Sequence, residues 1–149
     1  MPRSRRWGDV AGDEGSASIE FLTVGLLLTV PLVYLVLAMG QLQAATLATE
    51  GAARQAARVI ATASDHAAAL EAADAAIAVA LAEQRLAPTS IDVACEPTPA
   101  DCTERGGTVR VAVEVSVPLP LVPPVLDLDV GLSVPIAAAA AQPVSGMRP

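Results

Sequence analysis

The sequence contains no lysine, one histidine and three aromatic residues in 149 positions. After Gly40 it has twelve acidic side chains and six arginines, so it lacks the basic surface that phosphate binding requires. The same acidity disfavours electrostatic attraction to anionic lipid headgroups. We therefore expect no nucleic-acid partner.

Residues for catalysis or metal binding are equally scarce. The single histidine, His66, has no serine or cysteine partner fixed by sequence and no set of ligands at convincing spacing, so we interpret it as a surface residue. Asp127 and Asp129 invite a metal-site interpretation, but strand alternation explains both carboxylates as a solvent-facing row. Gly106-Gly107 predicts a turn, not a phosphate loop. The expectation is a protein with no enzymatic activity, cofactor, metal or small-molecule substrate.

Apolar residues, in contrast, make up 53% of the chain. Residues 21–40, FLTVGLLLTVPLVYLVLAMG, begin at Phe21, end at Gly40 and contain no charge. At ~1.5 Å per residue such a helix spans the ~30 Å hydrocarbon layer of a bilayer. Three arginines precede this segment and two follow closely, which favours a cytoplasmic N-terminus. These residues predict a single membrane-spanning helix with the rest of the chain outside.

Glu20 stands directly before this apolar segment, where a carboxylate is costly if it enters hydrocarbon. Upstream, the residues read Gly15-Ser16-Ala17-Ser18-Ile19-Glu20-Phe21. This segment resembles the processing site of type IV prepilins. It is most similar to the Flp and TadE/TadF prepilins of tight-adherence (Tad) secretion systems, although Phe21 stands where the Flp motif usually has tyrosine.

The resemblance implies that a prepilin peptidase removes a cytoplasmic leader, residues 1–15, and leaves Ser16 as the new N-terminus. The freed amine then pairs with the Glu20 carboxylate, within one subunit or between neighbours. The implied partners are the lipid bilayer, the peptidase and other pilins or pseudopilins.

Beyond the span, residues 41–60 are rich in alanine, with Glu50, Arg54 and Arg58 at helical spacing. We expect the membrane helix to continue outward as a stalk. The segment AARQAAR, residues 52–58, is similar to a small-residue pattern found after the membrane helix of TadE-like proteins, and it also fits a generic solvated helix. A second alanine-rich helix should follow, ending near Leu86, with Leu70, Ala73, Ile77 and Leu81 on its core face.

From Ser90 onward the apolar residues alternate, which predicts three strands of a small antiparallel sheet. The rows consist of Ile91, Val93 and Cys95; then Val109, Val111, Val113, Val115 and Val117; then Leu126, Leu128, Val130, Leu132 and Val134. Cys95 and Cys102 are the only cysteines, and in an exported domain we expect them to form a disulfide. Two free thiols or half of a metal site are the alternatives.

The predicted fold class is therefore α+β, with a leader at 1–15, a transmembrane helix at 16–40, an extracytoplasmic domain at 41–141 and a disordered tail at 142–149. The implied function is that of a non-catalytic minor pseudopilin of a Tad/Flp-type pilus. Two alternatives stay open. Ala38-Met39-Gly40 fits a signal peptidase site, which would release a secreted protein beginning at Gln41. An exported enzyme or metal module would depend on His66 or Asp127.

Overall fold

A computed structural model describes residues 14–120 and 132–145. The chain divides into two compact units, Met1–Ala38 and Met39–Pro149. The elements are α1 (Glu14–Thr62), α2 (His66–Ala82), β1 (Pro88–Glu96), β2 (Thr108–Pro118) and β3 (Ser133–Pro143). Two helices followed by a three-stranded antiparallel sheet confirm the predicted α+β class.

The first helix, α1, is continuous over 49 residues and includes Pro31. Leucine and alanine, both strong helix formers, supply much of it. Three threonine hydroxyls, those of Thr23, Thr46 and Thr49, donate to the carbonyl four residues earlier at 2.7–2.8 Å. This bonding satisfies each hydroxyl inside its own helix, so threonine is compatible with an apolar surrounding.

The second helix, α2, has well-defined signals at both ends. Asp65 caps its N-terminus by accepting a hydrogen bond from the Ala68 N–H at 2.8 Å. At the other end the Leu86 N–H donates to Leu81 and the Arg85 N–H to Ala82, the pattern of a Schellman motif. Arg85 adopts the left-handed φ of 54° that this motif requires. The helix therefore ends at Ala82, four residues before the predicted end.

The sheet has the order β1-β2-β3, with β2 in the centre and both pairings antiparallel. The inward valines of β2 are all 1% exposed or less, and Arg110 and Glu114 lie on the opposite, exposed face. The predicted alternation of β1 and β2 is thus confirmed. β1 is less covered, since Ile91 remains 37% exposed.

The third strand lies further along the chain than the sequence predicts. Of the predicted row only Leu132 and Val134 fall within the described residues, and β3 continues through five alanines to Pro143. Val144, just after it, is 4% exposed and donates its N–H to the Gly107 carbonyl at 2.9 Å. The predicted start of a tail at Gln142 is therefore too early. Alanine has little intrinsic strand preference, so pairing with β2 is what decides this element.

The prolines of β3 fit an edge strand. The bonds Leu119 N–H to Leu132 O and Val144 N–H to Gly107 O show that even-numbered residues of β3 bond to β2. Pro135 and Pro143 are odd-numbered, so the N–H that each lacks would have pointed away from β2. Neither proline therefore removes a hydrogen bond from the ladder.

The apolar helix continues beyond Gly40 to Thr62, as predicted for the stalk, and one face of this continuation also belongs to the core of the second unit. Four alanines that the sequence analysis placed on it have 0% exposure, namely Ala52, Ala53, Ala56 and Ala57. They belong to one buried cluster with Ile60 and the β2 valines. From α2 the cluster contains Ala73, Ile77 and Leu81 of the predicted stripe, whereas Leu70 is partly buried and packs against it. Because alanine side chains are short, this helix face can approach the sheet closely, and the arginines Arg54 and Arg58 remain in solvent.

Two contacts show that residues 41–62 of α1 extend along the whole sheet. At one end the Gln41 Nε2 donates to the Pro118 carbonyl at 3.1 Å, at the last residue of β2. At the other end, four residues after α1, the His66 Nδ1 accepts from the Cys102 N–H at 3.2 Å. Cys95, bonded to Cys102, pairs with Val109 near the first residue of β2.

Candidate functional site

The segment resembling a processing site lies at the beginning of α1. Glu14 is the first helical residue, so the backbone of Gly15 and Ser16 is in the first helical turn. Glu20 is exposed and, among the described residues, makes no hydrogen bond or ion pair. Phe21 is 78% exposed. The structure thus leaves this carboxylate and its aromatic neighbour exposed; residues 1–13 of the predicted leader lie outside the described residues.

An unbroken apolar surface follows Glu20. Twelve of its large apolar side chains are at least half exposed, whereas Tyr34 is half-buried: Phe21, Leu22, Val24, Leu26, Leu27, Leu28, Val30, Leu32, Val33, Leu35, Val36 and Leu37. Soluble proteins rarely leave so large a contiguous apolar surface in water. By length and composition this helix can cross a membrane, and a signal sequence near an N-terminus has the same properties.

A second exposed apolar surface lies within the unit Met39–Pro149. An open groove of about 530 Å³ between α1 and α2 is lined by Ala44, Leu47, Ala48, Gly51, Val79, Ala80, Glu83 and Gln84. Leu47 and Val79 are 70% and 72% exposed. The sequence analysis did not predict this groove. One signal was available: Val79 is apolar but lies off the predicted core stripe of α2, so its side chain has no place in the core.

The cysteine prediction is confirmed, because Cys95 and Cys102 form a disulfide with their Cα atoms 5.1 Å apart. Both residues are 4% exposed. Inside the loop that they close, Asp101 accepts hydrogen bonds from the N–H and hydroxyl of Thr103. Beside the loop, Gly107 is necessary since a Cβ there would lie 2.6 Å from the Glu96 carbonyl oxygen.

His66 has a structural role that the sequence did not reveal. The prediction of a plain surface residue is incomplete, since the ring is half-buried and its Nδ1 accepts the Cys102 N–H. This acceptor role places the ring proton on Nε2 in the neutral form. Through this hydrogen bond the histidine connects the first turn of α2 to the disulfide loop. Its position directly after the capping residue Asp65 places it at the start of α2. The hydrogen-bond partner could not be predicted from the sequence, because Cys102 is 36 residues away.

The described residues do not assemble a metal site. Nowhere in residues 14–120 and 132–145 do three or more His, Cys, Asp or Glu side chains converge with suitable geometry. Asp127 and Asp129 lie outside the described residues. His66 is engaged with a backbone amide, and the nearest cysteine is oxidised.

Comparisons with known proteins identify no relative: no protein-family model, no curated protein and no solved structure matches the chain. The geometry therefore defines a coarse class, a small α+β unit preceded by a long exposed apolar helix.

Proposed function

We propose that this chain is a non-catalytic, single-pass membrane protein that serves as a minor pseudopilin of a Tad/Flp-type pilus assembly or secretion system. The observation that supports this most is the exposed apolar surface of α1 directly after Glu20, which is exposed and has no partner within residues 14–120 and 132–145. A bilayer and neighbouring apolar helices are the surroundings that such a surface requires.

In this proposal a prepilin peptidase cuts after Gly15, and the new amine of Ser16 neutralises Glu20. An exposed carboxylate without a partner among the described residues is suited to that pairing. Pairing makes a position at the membrane boundary less costly, and pairing with the amine of a neighbouring subunit fixes the relative height of two helices. The groove with Leu47 and Val79 adds an apolar surface for a further subunit.

N-terminal sequencing of the protein isolated from its own cells tests the processing step. A mature chain that begins at Ser16 supports the pseudopilin. A mature chain that still begins at Met1 contradicts processing, and the protein would then be only a membrane-anchored protein.

A charge substitution tests the assembly step. We expect Glu20→Ala to stay in the membrane, since it removes a charge from the boundary, but to lose co-purification with the other pilins. Glu114→Ala is the matched control because Glu114 is also an exposed carboxylate, on the outer face of β2. Normal pilus assembly by the Glu20 variant would refute the pairing role.

The alternative is a secreted protein released by a signal peptidase after Gly40. A specific observation favours it, because the second compact unit begins at Met39, beside the small-x-small site. A mature N-terminus at Gln41 would establish this alternative. The released unit would keep the buried alanines of α1 and hence its core.

A further inference from the structure

The two outer strands of the sheet, β1 and β3, differ in how their free backbone edges are protected. On β3 the outward positions include Pro135 and Pro143, and a proline has no N–H to offer to a further strand. β1 contains one proline, at its first residue, Pro88. Proline therefore interrupts the outer edge of β3 but leaves the outer edge of β1 open beyond its start.

The ladder shows which backbone groups of β1 point outward. Odd-numbered residues of β2 bond to β3, so its even-numbered residues bond to β1. Their partners on β1 are also even-numbered, as in the pair of Asp92 with Ala112. Ile91, Val93 and Cys95 consequently direct their N–H and C=O groups away from β2, and no described residue bonds to these groups. We call these three residues the β1 edge.

Both ends of the β1 edge are defined by local structure. The ladder is irregular between Pro88 and Ser90, so regular pairing starts only at Ser90. At the other end β1 stops at Glu96, and the loop that the disulfide closes follows. The β1 edge is thus a short recognition site with three donors and three acceptors in a row.

The side chains around the β1 edge are apolar on one face of the sheet and acidic on the other. On the core face Ile91 is 37% exposed, whereas its ladder partner Val113 is 1% exposed. On the outer face Asp92 and Glu96 are exposed, and neither forms an ion pair with a residue that the structure describes. A strand added here would cover Ile91 and lie beside two carboxylates without a cationic partner in the described chain.

Helix α2 adds negative charge on the helix side of the same edge. Ala80, three residues after the buried Ile77, lines the groove with α1. Asp74 lies three residues before Ile77, so at 3.6 residues per turn it is on the opposite flank, away from α1. Because α2 is the helix that packs against β1, this flank borders the β1 edge. Asp74 is exposed and has no ion-pair partner in the described part of the chain.

We propose that the β1 edge binds an extended, basic segment of a partner protein, which adds to the sheet as a fourth strand. Its backbone bonds to the outward N–H and C=O groups, an apolar side chain covers Ile91, and arginine or lysine pairs with Asp92 and Glu96. A second copy of this chain fits less well, since two β1 edges side by side would bring their acidic flanks together. The site belongs to the unit Met39–Pro149 alone, so it does not depend on the proposed membrane anchoring or processing.

A synthetic peptide that alternates arginine and valine tests the site. The full-length chain in neutral detergent is titrated into the labelled peptide, and fluorescence anisotropy gives the Kd. The same peptide with N-methyl groups on its valines keeps the charge but loses the N–H groups that would bond to Ile91 and Val93. A glutamate–valine peptide reverses the charge. We expect both control peptides to bind at least about tenfold more weakly.

Variants of the chain locate the binding. Ile91→Pro removes an outward N–H but no bond to β2, and it should weaken binding at least about tenfold, whereas Ala139→Pro makes the same change on the β3 edge and should leave binding unchanged. Asp92→Asn should weaken binding about two- to fivefold. Its matched control is Glu83→Gln, an exposed carboxylate in the groove between the helices. An intact disulfide and unchanged amide protection in β2 verify the fold of each variant.

Amide hydrogen exchange decides what covers the β1 edge. In the free chain the amides of Ile91 and Val93 should exchange faster than those of Asp92 and Ala94, which bond to β2, and the peptide should protect them. Protection already present in the free chain means that another part of the chain covers the edge. Protection that grows with protein concentration means that a second copy does. Either result, or equal binding of the three peptides, overturns the proposal.

Discussion

Removing the disulfide between Cys95 and Cys102 should sharply destabilise the unit Met39–Pro149 while leaving the exposed apolar segment of α1 helical. The bond joins residues seven positions apart, which is worth about 2 to 3 kcal/mol on the chain-entropy estimate. Both sulfurs are buried, and deleting them in Cys95→Ala/Cys102→Ala adds about 1 kcal/mol of lost packing. The expected total is about 3 to 4 kcal/mol, a large fraction of the stability of a domain this size.

Hydrogen exchange at the amides of β2 measures this loss in detergent, where the apolar helix does not unfold with the sheet. These amides lie in the central strand, so they exchange through opening of the whole unit. A loss of 3 to 4 kcal/mol accelerates that exchange by roughly a hundredfold or more. Reducing agent added to the unmodified protein should give a similar acceleration.

Thr98→Ala is the control, since Thr98 is exposed in the same loop and contributes its backbone carbonyl to the Asp101 N–H. It should change exchange in β2 by less than about threefold. If the double alanine variant exchanges no faster than this control, the disulfide does not hold the sheet and its loop to the helices. The energetic argument would then be refuted.

Two further predictions concern single side chains. His66→Ala leaves the Cys102 N–H without its acceptor and should lower the free energy of unfolding by about 1 kcal/mol in the same exchange measurement. His66→Asn keeps an acceptor and should lower it less. Equal losses of stability in the two variants would show that the hydrogen bond is not the cause. Ala56→Leu adds three carbons at a position with 0% exposure and should lower the free energy of unfolding by about 1 to 3 kcal/mol. The control, Gln55→Leu at the exposed neighbouring position, should change it by less than about 0.5 kcal/mol. Equal stability of the two variants would contradict tight packing around Ala56.

The difference between prediction and structure in α1 has a clear physical origin. The sequence places alanines and arginines at helical spacing, and such a helix is equally compatible with solvent and with a core. What decides between them is whether a sheet lies against the alanine face. β2 supplies that sheet with its row of valines, so the predicted stalk forms part of the core.

The third strand differs for a related reason. Periodicity favoured the alternation from Leu126 to Val134, but β3 begins at Ser133 and consists largely of alanine. A run of alanine has no alternating pattern to detect. Its assignment depends on the ladder with β2, which continues to the bond between Val144 and Gly107.

The sequence by itself determined the features that depend on local pattern. The uncharged residues 21–40, the core stripe of α2, the valine alternation of β2 and the cysteine pair each carry their own signal, since burial and pairing are visible in spacing and residue type. The resemblance of Gly15 through Phe21 to a prepilin site remains a prediction that N-terminal sequencing tests.

Tertiary structure decided what depends on residues far apart in the chain. It buried the alanines of α1, made an alanine run into an edge strand and gave His66 a backbone partner 36 residues away. It also brought Pro118 to Gln41, 77 residues earlier. The sequence thus predicted the apolar helix, and the fold revealed contacts within the following unit between residues far apart in the chain, because only tertiary packing brings such residues together.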